Sequence, residues 1–244
     1  MSNTKPVPIK KDIVGQRRRR QTENNDGAYK GLIQGKLDMK YINNEELTRT
    51  FKDYEENHNT TRDKILGKCK TDPLFAVVFA RNVSKNGSRQ GSLDEKTQID
   101  TCQETTQKCG VNIINLPAAG KNSVRPSKNS RECLIGIKKD TRTNLKSFDA
   151  KITGKVDGYA CNKVTAGGGG HQDNVDDELV EICKWVKNYH NADGKLWIII
   201  WDTDLTTKFN TLKKDYLDVP NLIIVNHVEY QQYILDNYWE EEST

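Results

Sequence analysis

LKSFDAKI (145–152) and VDGYACNKV (156–164), joined by TGK, are the stretch on which the reading of this chain turns. Both are short runs of mixed apolar and polar residues with a tight connection between them, the pattern of consecutive antiparallel strands. Before them, ECLIGIKK (132–139) and the polar turn DTRTN supply an expected first strand, so that 132–164 reads as a three-strand meander. After them, the glycines of AGGGGHQDN (166–174) cannot hold a strand. DNVDDELVEICKWVKN (173–188) then places Val175, Leu179, Ile182 and Val186 on one helical face. KLWIIIWD (195–202) is almost wholly apolar, as a strand buried on both faces must be. A helix near 206–216, a strand LIIVN (222–226) and a helix near 228–238 complete the expected layer.

On the other side of the meander the chain reads as helical. Ser92, with Glu95 three residues on, has the form of a capping box opening a helix that runs to Lys108. Residues 117–131, rich in Pro, Gly, Ser and Asn, read as a loop. Thr71-Asp72-Pro73 is a helix start with proline at the first helical position, followed by LFAVVFARNV over 73–84. Helical patterns also cover about 27–39 and 44–57, whereas 1–25 has no periodicity. The expected organisation is a flexible basic arm (1–25), a helical region (26–91) and an α/β core (92–244).

The bulk composition narrows the class. Hydrophobic residues make up 34 % of the 244 and charged residues 30 %, with a mean hydropathy of -0.81. No apolar run approaches the roughly 20 residues needed to cross a bilayer. MSNTKPVPIKKDIVGQRRRR has no apolar segment after its basic residues, so no secretory signal is expected. The six cysteines show neither CxxC spacing nor an accompanying HxxxH, so free thiols are expected and a zinc site is not. The net charge of +4 is unevenly placed, with Arg17 to Arg20 near the start and Glu240 to Glu242 near the end. A basic arm of this kind can contact phosphates.

Hydrolysis of a phosphodiester with a divalent ion calls for carboxylates to hold the ion and a cation beside the phosphate. Asp149 lies in the second expected strand and Lys163 in the third. Period-two alternation puts Lys163 on the same face as Cys161. Asp149 meets them if the turn at 153–155 sets the register. A second register takes Asp149-Ala150-Lys151 as the acid–lysine pair, with Glu132 or Asp140 as the further acid. In the favoured register Lys151 is a phosphate contact or an exposed strand residue.

On FDAK (148–151), YACNK (159–163) and GGGGHQDN (167–174), the chain over about 92–235 resembles the type II restriction endonucleases of the PD-(D/E)xK superfamily. The resemblance implies a restriction-endonuclease-like mixed sheet: a three-strand antiparallel meander, then a helix and a parallel strand, flanked by helices and preceded by a helical extension. It implies a Mg2+-dependent enzyme cutting double-stranded DNA at a specific site, with Asp149 holding the metal and Lys163 in the active site. Cys161 departs from the pattern, because an acid is expected two residues before the lysine and a neutral thiol binds magnesium poorly. Some members carry that acid on the next helix, where Glu178 flanks the apolar stripe while Asp177 points away from it; Glu178 is therefore expected to be the third catalytic and metal-binding residue. Asp173 competes with it, or caps the helix. Glu95 is a further candidate metal ligand, as a glutamate of that helix is in some relatives.

The expected DNA contacts are Arg89 and Gln90 ahead of the helix at 92, Lys151, and His171, Gln172, Asp173 and Asn174. The amides of Gln172 and Asn174 can read adenine. The resemblance further implies a homodimer acting on a palindrome, no membrane partner, a cognate DNA methyltransferase, and a cytoplasmic location in a bacterial or viral host cell. Two other functions remain: a DNA-binding protein of this fold without catalysis, and a repair or transposition nuclease without site specificity.

Overall fold

The computed structural model describes residues 4–85, 88–167 and 170–240, and the side chains of 88–92 and 170–174 lie outside the description. The chain divides into two compact units, Gly15–Ser92 and a larger one of Met1–Val14 with Leu93–Thr244. The segment expected as a flexible arm is helical from Ile13, because α1 (Ile13–Gln34) runs through Arg17 to Arg20. Within that segment Ile13 is buried, which a free arm has no means to achieve.

In the smaller unit α1 is followed by α2 (Asn44–His58), α3 (Arg62–Thr71) and α4 (Pro73–Val83). The Asn43 side chain caps α2 by accepting from Glu45 N and Glu46 N. Asp72 caps α4 through Phe75 N at 3.0 Å, with Pro73 where its missing N–H costs nothing. Leu32, Phe51, Ile65 and Phe79 share one apolar core. Among the described residues, no helix is long and apolar enough to cross a membrane.

The larger unit is built on a five-stranded mixed sheet. Its elements in chain order are α5 (Ser88–Thr106), β1 (Val111–Asn115), β2 (Val124–Pro126), β3 (Cys133–Ile135), β4 (Ala150–Gly154), β5 (Gly158–Thr165), α6 (Gly170–Tyr189), β6 (Leu196–Thr203), α7 (Thr206–Asp215), β7 (Leu222–Val225) and α8 (His227–Tyr238). The sheet order is β1-β4-β5-β6-β7, while β2 and β3 pair separately. β4 runs antiparallel to both of its neighbours, β1 and β5, and β6 and β7 continue parallel to β5. Leu179, Ile182 and Val186 of α6 and Leu212 of α7 pack with Phe148, Trp197 and Trp201 in one core. Ile99 and Cys102 of α5 and Tyr230 and Ile234 of α8 pack with Ala160, Ile198 and Ile200 in the other. β6 is buried along nearly its whole length, which is why it carries no polar alternation.

The meander differs from expectation in its first strand. Val111 and Ile113 are buried, and β1 pairs with β4 in the register Val111↔Gly154. The segment 132–139 has no buried position, so it cannot serve as a central strand; its Cys133–Ile135 pairs only with β2. α5 starts at Ser88, four residues before the expected Ser92, and α6 starts at Gly170, which makes Asp173 a helical residue and not the N-cap. The turn from β4 to β5 depends on Gly154, whose φ of +108° and closeness to Gly110 O exclude a side chain. That turn sets Ala150 opposite Ala160, so Asp149 arrives beside Cys161 and Asn162. All six cysteines are free thiols.

Candidate active site

Asp149 stands one residue before β4, where the two strands separate. Its backbone N–H still donates to Ala160 O at 2.9 Å, but the next N–H of β5, that of Asn162, has lost its main-chain partner. The Asp149 side chain replaces it, with Oδ2 accepting from Asn162 N at 2.9 Å. A buried N–H needs such an acceptor, so the carboxylate is fixed by the end of the ladder itself.

Lys163 lies two positions after Cys161, with its side chain only 5 % exposed. Its ammonium donates to Asp149 Oδ2 at 3.0 Å, Glu95 Oε1 at 3.3 Å and Asn162 O at 2.8 Å. Three acceptors match the three ammonium protons. Burial works against the charge on Lys163, but Asp149 and Glu95 outweigh it and hold its pKa above the ordinary lysine value. Glu95 comes from the second turn of α5 and is 26 % exposed at its side chain. Burial raises the Glu95 pKa more than Lys163 lowers it; Asp149 adds to the rise and Lys146 opposes it.

The second carboxylate on the lysine is therefore Glu95, whereas the sequence points to Glu178 as the third catalytic and metal-binding residue. Glu178, expected in that role, pairs with Lys146 at 3.0 Å on the rim, both side chains about one-third exposed. It is nonetheless close enough to help raise the thiol of Cys161. That thiol, buried beside Asp149, is pushed up to about 12 and stays neutral. Cys161 packs in the apolar core with Leu179 and Cys183. An acid at that position would be desolvated.

Lys151 is an exposed residue of β4, paired across to Tyr159. Glu132 is exposed in the β2–β3 connection, and Asp140 holds Arg142 in a turn. The alternative register is not assembled, because neither acid is joined to Asp149 or Lys151 by a hydrogen bond or ion pair among the described residues. Arg89 and Gln90 fall in the first turn of α5, and His171, Gln172, Asp173 and Asn174 in the first turns of α6. Their side chains lie outside the described residues.

A second layer supports the site and had no counterpart in the sequence reading. Gln98, one turn after Glu95, accepts from Asn162 Nδ2 at 2.8 Å. Its amide nitrogen donates to Asp202 Oδ2 at 2.6 Å and to the carbonyls of Lys163 and Ile200 at 3.3 Å. Asp202 Oδ1 takes the His227 ring at Nδ1 (2.7 Å), and His227 Nε2 accepts from Lys11 N at 3.3 Å. The helical spacing of Glu95 and Gln98 was the one available signal for this layer. Lys146 was also missed: strict alternation from Asp149 sends it to the opposite face, but 145–149 is not regular strand.

Among the described residues, no group of three His, Cys, Asp or Glu side chains is arranged as a metal cage. The donor set still suits a hard divalent ion. Asp149 and Glu95 converge within 3.3 Å of one nitrogen, and Lys163 takes a single oxygen from each. Magnesium is commonly bound through one or two carboxylates, with water and substrate phosphate completing the shell. No family model, curated protein or solved structure matches the chain.

Proposed function

We propose that the protein is a Mg2+-dependent endonuclease acting on double-stranded DNA at a specific site, as in a restriction enzyme. The observation that carries this reading is the convergence of Asp149 and Glu95 on the buried ammonium of Lys163. Buried, mutually perturbed titratable groups concentrate at functional sites. The sheet adds support, since a three-strand antiparallel meander passes through α6 into a parallel strand, the arrangement expected of a restriction-endonuclease-like fold.

In this reading Asp149 and Glu95 hold the ion, and Lys163 faces the scissile phosphate. A bound divalent ion supplies a water of lowered pKa and offsets charge on the phosphoryl oxygens. A water oxygen bonds to phosphorus, the bond from phosphorus to one sugar oxygen breaks, and that oxygen takes up a proton. Lys163 stabilises the extra negative charge on the phosphoryl oxygens. Arg89, Gln90, Lys151, His171, Gln172, Asp173 and Asn174 are the proposed DNA contacts. Two copies related by a two-fold axis suit a palindromic target, and a cognate methyltransferase would protect host DNA in the cytoplasm.

Supercoiled plasmid incubated with the protein and Mg2+ is expected to give discrete fragments. A smear would point to a nuclease without site specificity, and intact plasmid would overturn the reading. One observation favours a second reading, a DNA-binding protein without catalysis: Lys163 already neutralises much of the carboxylate charge, and Cys161 replaces the usual acid. Under that reading plasmid stays intact while duplex DNA is bound, and Asp149→Ala leaves that binding unchanged.

A further inference from the structure

Residues 117–147, which link β1 to the segment leading into Asp149, contain eight Lys or Arg and only two acids, Glu132 and Asp140. Their excess of positive charge is larger than the +4 of the whole chain. Lys128, Arg142 and Lys146 pair with acids and Arg125 bonds Ala118 O, but the other four are not spent internally. Lys121, Arg131, Lys138 and Lys139 are exposed, and among the described residues none of them makes an ion pair.

The region is also held firmly. Asn144, buried, bonds Asp140 N and Lys138 O at 3.2 Å and closes the turn after the lysines. Trp185 Nε1 donates to Ser130 O at 2.9 Å, and His190 Nε2 bonds Arg131 O at 2.8 Å, which ties the β2–β3 connection to the end of α6. Leu145 N and Phe148 N donate to Pro126 O and Val124 O, so β2 runs alongside the four residues that enter Asp149. Between the lysines, Ile135 and Ile137 are 65 % and 48 % exposed. A face that merely solubilises has no use for two exposed isoleucines. Cations with interspersed aliphatic side chains suit a nucleic-acid groove, where phosphates meet the cations and thymine methyls or base steps meet the aliphatics.

We infer that the β2–β3 hairpin and its flanking turns form a preformed docking surface for duplex DNA that positions the strand over Asp149. The inference rests on the proposed endonuclease reading and adds the substrate-holding element to it. Lys121, Lys138 and Lys139 contact backbone phosphates and set affinity; Ile135 and Ile137 lie against the groove.

The test is binding of a labelled duplex without divalent ion, followed across salt concentrations, for the full chain and two triple variants. Each phosphate contact contributes about 0.9 to the slope of log K against log salt. Lys121→Ala/Lys138→Ala/Lys139→Ala is expected to reduce the slope by about two to three and weaken binding at least about tenfold at moderate salt. Lys108→Ala/Lys184→Ala/Lys214→Ala, the same charge change at exposed sites elsewhere in the unit, is expected to retain most of the affinity. An unchanged slope in the first variant, equal losses in both, or tighter binding of duplex RNA would overturn the inference. Plasmid cleavage by the wild type separates the two ideas. Cleavage with an unchanged slope removes the docking surface alone, whereas a reduced slope without cleavage removes the enzymatic reading alone.

Discussion

Two buried polar groups lie against β5 and β6, and they are built on opposite plans. Around Asp202, donors and acceptors match: Oδ1 takes His227, Oδ2 takes Gln98, and both partners are nearly inaccessible. Around Lys163, two carboxylates share a single ammonium, and one of them, Glu95, remains partly open to solvent with its pKa raised by burial. A fully satisfied network fixes structure, while a crowded and accessible charge cluster stores electrostatic potential that a ligand can use. Under the proposed function the comparison gives chemistry to the Asp149 group and support to the Asp202 group.

Lys163→Met gives the sharpest contrast between the two. Removal of one partner from a buried ion cluster leaves the remaining charges uncompensated, here Asp149 and Glu95, so the variant should lose about 3–5 kcal/mol in denaturant unfolding. Cleavage should fall by at least about 10³-fold, because several kcal/mol of charge stabilisation is removed. Asp202→Ala should also lose stability, but under conditions where it stays folded it should keep cleavage within about tenfold of wild type. It leaves Gln98 Nε2 and the His227 ring without their acceptor, for a loss of about 3–5 kcal/mol in denaturant unfolding. Equal losses of cleavage from the two substitutions, compared as folded proteins, would dissolve the distinction.

Glu95 offers a finer probe through pH. A carboxyl with a raised folded-state pKa binds its proton more tightly in the native protein, so its contribution is present below the unfolded value. It is lost as pH rises through the folded value. Wild type should therefore lose stability from about pH 4.3 upward relative to Glu95→Gln, and coincident pH profiles would remove Glu95 from the buried cluster. Glu178→Ala should have the smallest effect. Its rim ion pair with Lys146 contributes about 0–1 kcal/mol, so cleavage should drop by less than about tenfold.

The elements that bury whole faces were legible in the sequence. The Leu179/Ile182/Val186 stripe of α6 and the continuous apolar run of β6 express burial through period and composition alone. Asp149 and Lys163 were readable as well, because a tight turn fixes which residues of adjacent strands meet. β1 was not, since VNIIN has only two inward positions, and its pairing with β4 is a long-range event across the basic insertion. The pairing of Lys163 with Glu95 and of Glu178 with Lys146 has a similar origin. A helical wheel orders residues around one axis, but it cannot say that Lys146 intercepts Glu178 while α5 brings Glu95 onto the ammonium.

The most direct measurement is a single-turnover cleavage rate for wild type and Asp149→Asn, at saturating protein with Mg2+, alongside duplex binding in its absence. The account predicts that the variant binds DNA as wild type does and cleaves at least about 10³-fold more slowly. Cleavage by the variant at the wild-type rate would contradict it.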